Sequence, residues 1–288
     1  IIMRIISGLF LFAACFLSGY VLNAQIKTPA ASPGSTVKAN VGLGEATVEY
    51  SRPSKKGRII FGDLVPFGKI WRTGANGATK ITFSEKATVG SSELAKGTYA
   101  IYTIPNPNEW TVIFYKDLTK GGGLTDANIK SEDVAAKIVV QTAMINPGVE
   151  TFTIDIADVT NKGASIAIMW DKTMVKVPFT YNTDAAVMAN IKEKMAGPSG
   201  NDYYAAAQYY YNEDKDLNEA LVWIREATKM NSDRFWIWRQ QSLIEAKMGK
   251  YADAIKSAEK SLALAKEAGS DDYVKMNNES IKEWSAKK

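Results

Sequence analysis

Alternation of apolar and polar residues with a period of two fills the chain from about residue 36 to residue 181, and it restricts this region to β-structure. Residues 37–41 and 46–50 alternate in this way, and similar runs follow. Asn, Pro and Gly predict turns between the runs, at residues 106–108, 146–148 and 161–163. No stretch of helical period intervenes, so the strands are expected to pair antiparallel. Many short strands with one buried face each predict an antiparallel β-sandwich of two sheets.

The pattern changes at residues 197–200, Gly-Pro-Ser-Gly, which predict a domain boundary after a lead-in helix over residues 183–195. Beyond it, pairs such as Ala220 and Ala254 recur 34 residues apart. This is the period of the tetratricopeptide repeat, in which a small residue lets two helices pack closely. We therefore predict an all-α, tetratricopeptide-like domain, closed by a helix near the end of the chain. A plain helical bundle with the same spacing is the alternative.

The first two dozen residues have the features of a secretory signal peptide. Arg4 precedes an apolar run, and residues 22–24, Leu-Asn-Ala, resemble a signal-peptidase site. The run is shorter than the roughly 20 apolar residues that span a bilayer, so no integral membrane span is predicted. We expect an exported protein, periplasmic or extracellular, with acylation of Cys15 as the alternative. The predicted parts are a signal peptide (1–24), a β-sandwich domain (25–181), a lead-in helix and linker (182–200) and the helical domain (201–288).

Composition excludes several mechanisms. The chain has no histidine and its only cysteine is Cys15. Ser-His-Asp and Cys-His nucleophile systems, zinc clusters and haem ligation by histidine therefore cannot be built. No cofactor and no metal site is indicated.

Positive charge is concentrated in residues 50–80, which hold seven basic residues and one acidic residue in a chain of net charge +4. This Gly- and Pro-rich stretch predicts a loop held on a rigid sheet, where sites are common. Arginine forks offer paired donors to a carboxylate, phosphate or sulfate, and an indole can stack on a ring. An anionic small molecule or glycan is the expected ligand, and so short a patch does not indicate nucleic acid. The candidate ligand-binding residues are Arg52, Arg58, Trp71, Arg72 and Asn76.

The alternative for this stretch is structural, because loop arginines also pin loops by bonding backbone carbonyls or a nearby acid such as Asp63. In the helical region, residues 201–288 hold four of the seven tryptophans. By the repeat register, Tyr209 and Trp236 are expected to face a concave surface that recognises a protein partner. Aromatic residues that only enlarge a small helical core are the alternative there.

Three strings in the first region resemble a known family. They are Tyr-Ser-Arg-Pro-Ser at residues 50–54, Trp-Arg-Thr-Gly-Ala-Asn at 71–76 and Ala-Lys-Gly-Thr-Tyr at 95–99. They are similar to a family of exported bacterial proteins catalogued as a domain of unknown function, number twenty-nine eleven. The resemblance covers about residues 32–179. It implies export and a β-rich fold, and it implies no activity.

Two functions from different classes follow. The first is an exported binding and interaction protein, whose sandwich loops hold an anionic ligand and whose helical repeats hold a partner. The second is a glycosidase-like hydrolase acting on cell-envelope or extracellular glycans, because that chemistry needs two carboxylates and no histidine. The candidate carboxylates are Glu45, Glu49 and Asp63.

Overall fold

The computed structural model describes residues 28–287 and divides them into two compact units. The first comprises the described residues up to Asn40, Glu45–Val159 and Ala164–Phe179. The second comprises two turn segments, Val41–Gly44 and Thr160–Gly163, and the chain from Thr180 onwards. The predicted signal peptide and Cys15 lie outside the described residues.

The first unit is built on nine described strands that form an antiparallel sheet. Alternating burial explains their local structure: in the second strand Ala46, Val48 and Tyr50 are buried, whereas Glu49 is exposed. The strands are β1 (Gly34–Val41), β2 (Gly44–Ser51), β3 (Thr79–Phe83), β4 (Ala87–Val89), β5 (Ser92–Leu94), β6 (Gly97–Pro105), β7 (Glu109–Tyr115), β8 (Val134–Ala157) and β9 (Gly163–Tyr181).

Hydrogen bonds join all nine strands into one sheet, in the order β1-β2-β3-β6-β7-β8-β9-β4-β5. The long strand β8 provides the continuity, because its first part pairs with β7 and the part from Thr142 pairs with β9. The predicted antiparallel pairing is confirmed. A division into two facing sheets is not confirmed, and the sandwich stays a prediction.

One predicted turn is wrong. Residues 146–148, Asn-Pro-Gly, lie inside β8, where the register against β9 shifts between Met144 and Val149. The extra residues are accommodated as an irregularity within a continuous strand. Turn-forming residues alone do not distinguish such a bulge from the end of a strand.

The central strands β6 and β7 are buried on both faces. On one face Ala100, Tyr102, Ile113 and Tyr115 pack with Leu124, which comes from the loop at residues 116–133. On the opposite face side chains such as Ile101, Val112 and Phe114 are fully buried or nearly so. The loop therefore covers the sheet, and it borders the site described below.

The second unit is helical. Two of its helices begin 34 residues apart, at Leu217 and Tyr251. The fourth residue of each helix is a completely buried alanine, Ala220 in the first and Ala254 in the second. The period thus corresponds to repeated helix starts, while the tetratricopeptide assignment stays a prediction. No helix within residues 28–287 has the length and apolar character of a membrane span. The helices are α1 (Thr183–Lys194), α2 (Gly200–Asn212), α3 (Leu217–Met230), α4 (Phe235–Lys247), α5 (Tyr251–Glu267) and α6 (Asp271–Ser285).

Candidate functional site

The basic stretch is fixed to the sheet of the first unit at two places. Ser54 forms a bridge with Thr151 of β8, where the Lys55 amide donates to the Glu150 carbonyl at 2.7 Å. Further along, Trp71 forms a bridge with Thr103 of β6 through two backbone hydrogen bonds, of 2.7 and 2.9 Å. The chain between these two anchors is therefore held at both ends by strands.

A cavity of about 350 Å³ lies between the anchors. This volume is within the range of small-molecule sites. Of the five predicted ligand-binding residues, three line the cavity: Arg58, Trp71 and Arg72. Arg52 and Asn76 do not line it. The cavity is lined by Ala31, Ser32, Pro53, Ser54, Lys56, Arg58, Leu64, Val65, Trp71, Arg72, Gly74, Ala75 and Trp170.

Arg72 is half-buried in this wall, and its Nε is fully buried without a hydrogen-bond partner. Its backbone carbonyl accepts from the Thr79 amide at 3.1 Å, so the main chain is hydrogen-bonded while the Nε is not. A buried donor without a partner costs about 1–3 kcal/mol. Arg72 therefore has an unsatisfied donor in a side chain that lines the cavity.

Arg58 also lines the cavity, but part of its guanidinium is already used. Its Nε donates to the Lys55 carbonyl at 2.9 Å and its Nη2 to the Ser54 carbonyl at 2.5 Å. These bonds close a tight turn in which Lys56 has φ of 50° and Gly57 has φ of 73°. The turn presents Lys56 and Arg58 to solvent beside the cavity.

Arg52 and Asn76 make structural contacts outside the cavity wall. The Arg52 guanidinium donates to the Phe152 carbonyl at 3.2 Å and to Thr153 Oγ1 at 3.0 Å, which fastens the loop to β8. The Asn76 amide donates to the Ser32 carbonyl and to Ser51 Oγ, both at 3.2 Å. For these two residues the contacts favour the structural alternative.

Aromatic rings form the floor beneath the cavity. Trp71 stacks on Trp170 with ring centroids 6.1 Å apart and planes inclined by 18°. Edge-to-face contacts extend the cluster through Phe61, Trp110 and Phe152. Trp71 Nε1 donates to the Gly74 carbonyl at 3.1 Å, so the indole's polar atom is engaged and its position is fixed.

Basic side chains outnumber the carboxylates near the wall. The Glu150 carboxylate lies beside it, since its Oε1 accepts from the Lys56 backbone amide at 2.8 Å. Lys55 is neutralised by Asp171, with Nζ and Oδ1 2.6 Å apart. Among residues 28–287, no carboxylate forms an ion pair with Lys56, Arg58 or Arg72, and none lines the cavity. In the same part of the chain, no three side chains that could hold a metal ion converge.

The three carboxylates predicted for a hydrolase are elsewhere. Glu45 pairs with Lys38 at 2.7 Å, and Asp63 is exposed outside the cavity wall. Glu45 and Glu49 lie four residues apart on one strand, which separates their Cα atoms by about 13 Å. Glycosidase carboxyl pairs are roughly 5–9.5 Å apart. The cavity therefore gives the hydrolase alternative no support.

The comparisons with known proteins agree with the resemblance in the strings. A family model described as "Protein of unknown function (DUF2911)" matches residues 32–179, which is more than half of the chain. The chain belongs to the DUF2911 family. No curated protein and no solved structure has significant similarity to it.

The DUF2911 domain contains site residues that sequence reasoning missed. Lys56 belongs to the basic stretch but is not among the candidate binding residues, and Trp170 lies on β9, about 100 residues from Trp71. Gly122 of the covering loop packs against Arg72: a Cβ added to it would be 3.1 Å from Arg72 Cδ and 3.4 Å from Nη1. The sequence around Trp170 and Gly122 does not indicate a role in the site. Strand pairing brings Trp170 to the cavity, and packing of the loop brings Gly122 to Arg72.

The two residues predicted to bind a partner lie in the helical unit, outside the matched DUF2911 region. Trp236 is half-buried, with the Arg234 guanidinium 5.2 Å from its ring centroid. Tyr209 is also half-buried, and its hydroxyl donates to Asp184 Oδ1 at 2.9 Å. Burial and the nearby carboxylate raise the pKa of Tyr209. Both rings pack on the helical core and keep part of their surface exposed.

Proposed function

We propose that the DUF2911 domain of this chain binds the anionic group of a small molecule or glycan in the cavity beside Arg72. The observation that carries the proposal is the buried, unpartnered Nε of Arg72 in a wall that also contains Lys56 and Arg58. None of these three cationic side chains forms an ion pair within residues 28–287, and an anion would relieve their mutual repulsion. A carboxylate, phosphate or sulfate accepts the paired donors that a guanidinium offers.

The apolar side of the same wall indicates what is attached to the anion. Leu64, Val65 and the half-buried indole of Trp71 line the same cavity as the cationic groups. Because the Trp71 N–H is already bonded, its ring offers an apolar face rather than a donor. A sugar or a planar ring that carries a negative charge fits both features.

Binding of soluble anions to purified protein tests this function. A panel of acidic and neutral glycans, sugar phosphates and aromatic carboxylates is titrated by calorimetry. Arg72→Ala is expected to lower affinity for the best ligand about ten- to a hundredfold, equivalent to roughly 1.5–3 kcal/mol for a charged hydrogen-bonded pair. Arg234→Ala, an exposed arginine of the helical unit, is the control and should leave affinity unchanged.

The opposite pattern would contradict the proposal. If Arg72→Ala lowers the melting temperature and leaves the affinity unchanged, the arginine is structural. If no charged ligand binds better than its neutral counterpart, the cavity is not an anion site.

The broader proposal is an exported protein whose helical unit binds a protein partner. The basis for export is the N-terminal sequence, and N-terminal sequencing of the secreted form should find Gln25 first. The basis for a partner is the partial exposure of Trp236, since aromatic side chains dominate binding hot spots. Trp236→Ala should weaken binding to a captured protein partner, whereas the cavity variant Arg72→Ala should leave this binding unchanged.

A further inference from the structure

The segment between the two anchors exposes large apolar side chains on a structured loop. Ile59 is 69%, Leu64 44% and Phe67 40% exposed. Single exposed apolar residues are ordinary, but three within nine residues beside a cationic cavity form a local apolar surface. We call Ile59, Leu64 and Phe67 the apolar tip.

The apolar tip is held in shape by the backbone beneath it. The Leu64 amide donates to the Ile59 carbonyl at 3.3 Å, and the Val65 amide donates to the Ile60 carbonyl at 2.8 Å. Ile60 and Val65 are themselves buried. Two residues of the loop are therefore buried and its backbone is hydrogen-bonded, so the exposed side chains belong to an ordered loop.

Glycine is required at one point of this arrangement. Gly62 has φ of 94°, and a Cβ there would be 2.7 Å from Phe67 Cε2. The Phe67 ring thus lies directly over the Gly62 backbone. This contact holds the ring at the surface in a preformed position.

Exposed cations flank the apolar tip. Lys56 and Arg58 precede it and Lys69 follows it, and all three are exposed. The only acidic residue between Lys56 and Lys69 is Asp63. Apolar side chains surrounded by Lys and Arg are the combination that binds the interface of an anionic bilayer.

We propose that the apolar tip and its flanking cations dock the protein onto an anionic lipid surface. A stable protein interface needs roughly 20–30 residues on each side, far more than this tip supplies. A lipid surface needs only a few inserted apolar side chains with cations at the headgroup level. The apolar tip and its flanking cations share Leu64, Lys56 and Arg58 with the cavity lining, whereas Ile59, Phe67 and Lys69 lie outside it. The test therefore uses variants of these last three residues.

Vesicle flotation of the full chain tests the proposal. Binding to phosphatidylcholine vesicles with and without phosphatidylglycerol is compared, and the difference between the two reports the anionic component. Lys69→Ala is expected to lower the binding to anionic vesicles about fivefold. Ile59→Ser and Phe67→Ser should each lower it about tenfold. Val222→Ser, an equally exposed apolar residue on α3, should leave it unchanged.

Several results would overturn the proposal. One is equal binding to neutral and anionic vesicles, and another is a tip variant that binds as the parent protein does. Thermal melts of each variant confirm that the fold is retained, and Ile59→Ser keeps the test valid if Phe67→Ser fails to fold. Arg72→Ala should weaken soluble-anion binding about ten- to a hundredfold and retain vesicle binding. If it abolishes vesicle binding, the lipid headgroup sits in the cavity and the tip is not the contact.

Discussion

Gly122 lies close to the side chain of Arg72: a Cβ added to the glycine would be 3.1 Å from the arginine's Cδ, closer than an ordinary contact. The loop that carries Gly122 is pinned by Tyr102, whose hydroxyl donates to the Gly121 carbonyl at 2.7 Å. Burial and the charge of Asp117 raise the pKa of Tyr102 to about 12, so the hydroxyl remains a donor at neutral pH. The covering loop thus restricts where the Arg72 guanidinium can lie.

A larger residue at position 122 should therefore impair anion binding indirectly, by moving the Arg72 side chain rather than by touching the ligand. Gly122→Val is expected to displace the guanidinium and to lower affinity about tenfold, which is roughly 1.4 kcal/mol. Gly123→Val is the matched control, because nothing lies within 4 Å of a Cβ at that position. Calorimetric titration measures both variants. Equal losses for the two would mean that the loop, and not the contact with Arg72, matters.

Gly74 should be essential for stability. Its φ is 145°, and a Cβ there would be 3.1 Å from the Ser51 carbonyl oxygen and 3.4 Å from Thr79 Oγ1. Gly74→Ala is expected to lower the free energy of unfolding by about 1–3 kcal/mol, the usual cost of a disfavoured backbone conformation. Urea denaturation measures the change. Gly77→Ala, where a Cβ meets nothing within 4 Å, should change it little.

The helical unit should lose stability in acid. Hydrogen bonds from Lys215 and Tyr209 lower the pKa of Asp184, and hydrogen bonds from Ser199 lower the pKa of Asp202. A carboxyl whose folded pKa lies below its unfolded value of about 3.9 stabilises the fold above that value. That contribution disappears as the pH falls through the folded pKa.

The melting temperature should consequently be level between about pH 7 and 5 and fall below about pH 4. In Asp184→Asn, the decrease of the melting temperature below about pH 4 should be smaller than in the parent protein. Circular dichroism melts across this range provide the measurement. A steeper decline in the variant would contradict the sign argued here.

Glu245 should be a stabilising residue of the helical core despite its charge. Its side chain is 1% exposed, and its oxygens accept from Gln241 at 3.0 Å and Ser257 at 2.7 Å. Glu245→Ala would remove the acceptor of the Ser257 hydroxyl, one of the two acceptors of Gln241 Nε2 and the ion-pair partner of Arg225, and should cost about 2–4 kcal/mol. Glu226→Ala, which breaks a more exposed pair with Lys229, should cost less than about 1 kcal/mol. Equal losses in the free energy of unfolding for the two variants would show that the buried network stabilises the fold no more than an exposed ion pair does.

Sequence reasoning succeeded where one local pattern decides the structure. The alternation at residues 46–50 lies within β2, and the helices predicted at the start and end of the second unit correspond to α1 and α6. It missed β4 and β5, because three residues are too short to show a period. It also split β8, because turn residues within a strand resemble its end.

The candidate site likewise has residues that the local sequence identified and residues whose role depends on distant contacts. Arg58, Trp71 and Arg72 come from one contiguous basic loop, so charge and composition identified them together. Arg52 shares that loop and its charge, yet its guanidinium is used by β8. Local sequence cannot separate these two outcomes, since the acceptors are about 100 residues away.

The continuity of β8 also ties two parts of the sheet together mechanically. One part of this strand belongs to the ladder with β7 and the other part to the ladder with β9. The two parts are joined by extended backbone whose consecutive Cα atoms are a fixed distance apart. A displacement of one ladder along the strand is therefore passed directly to the other.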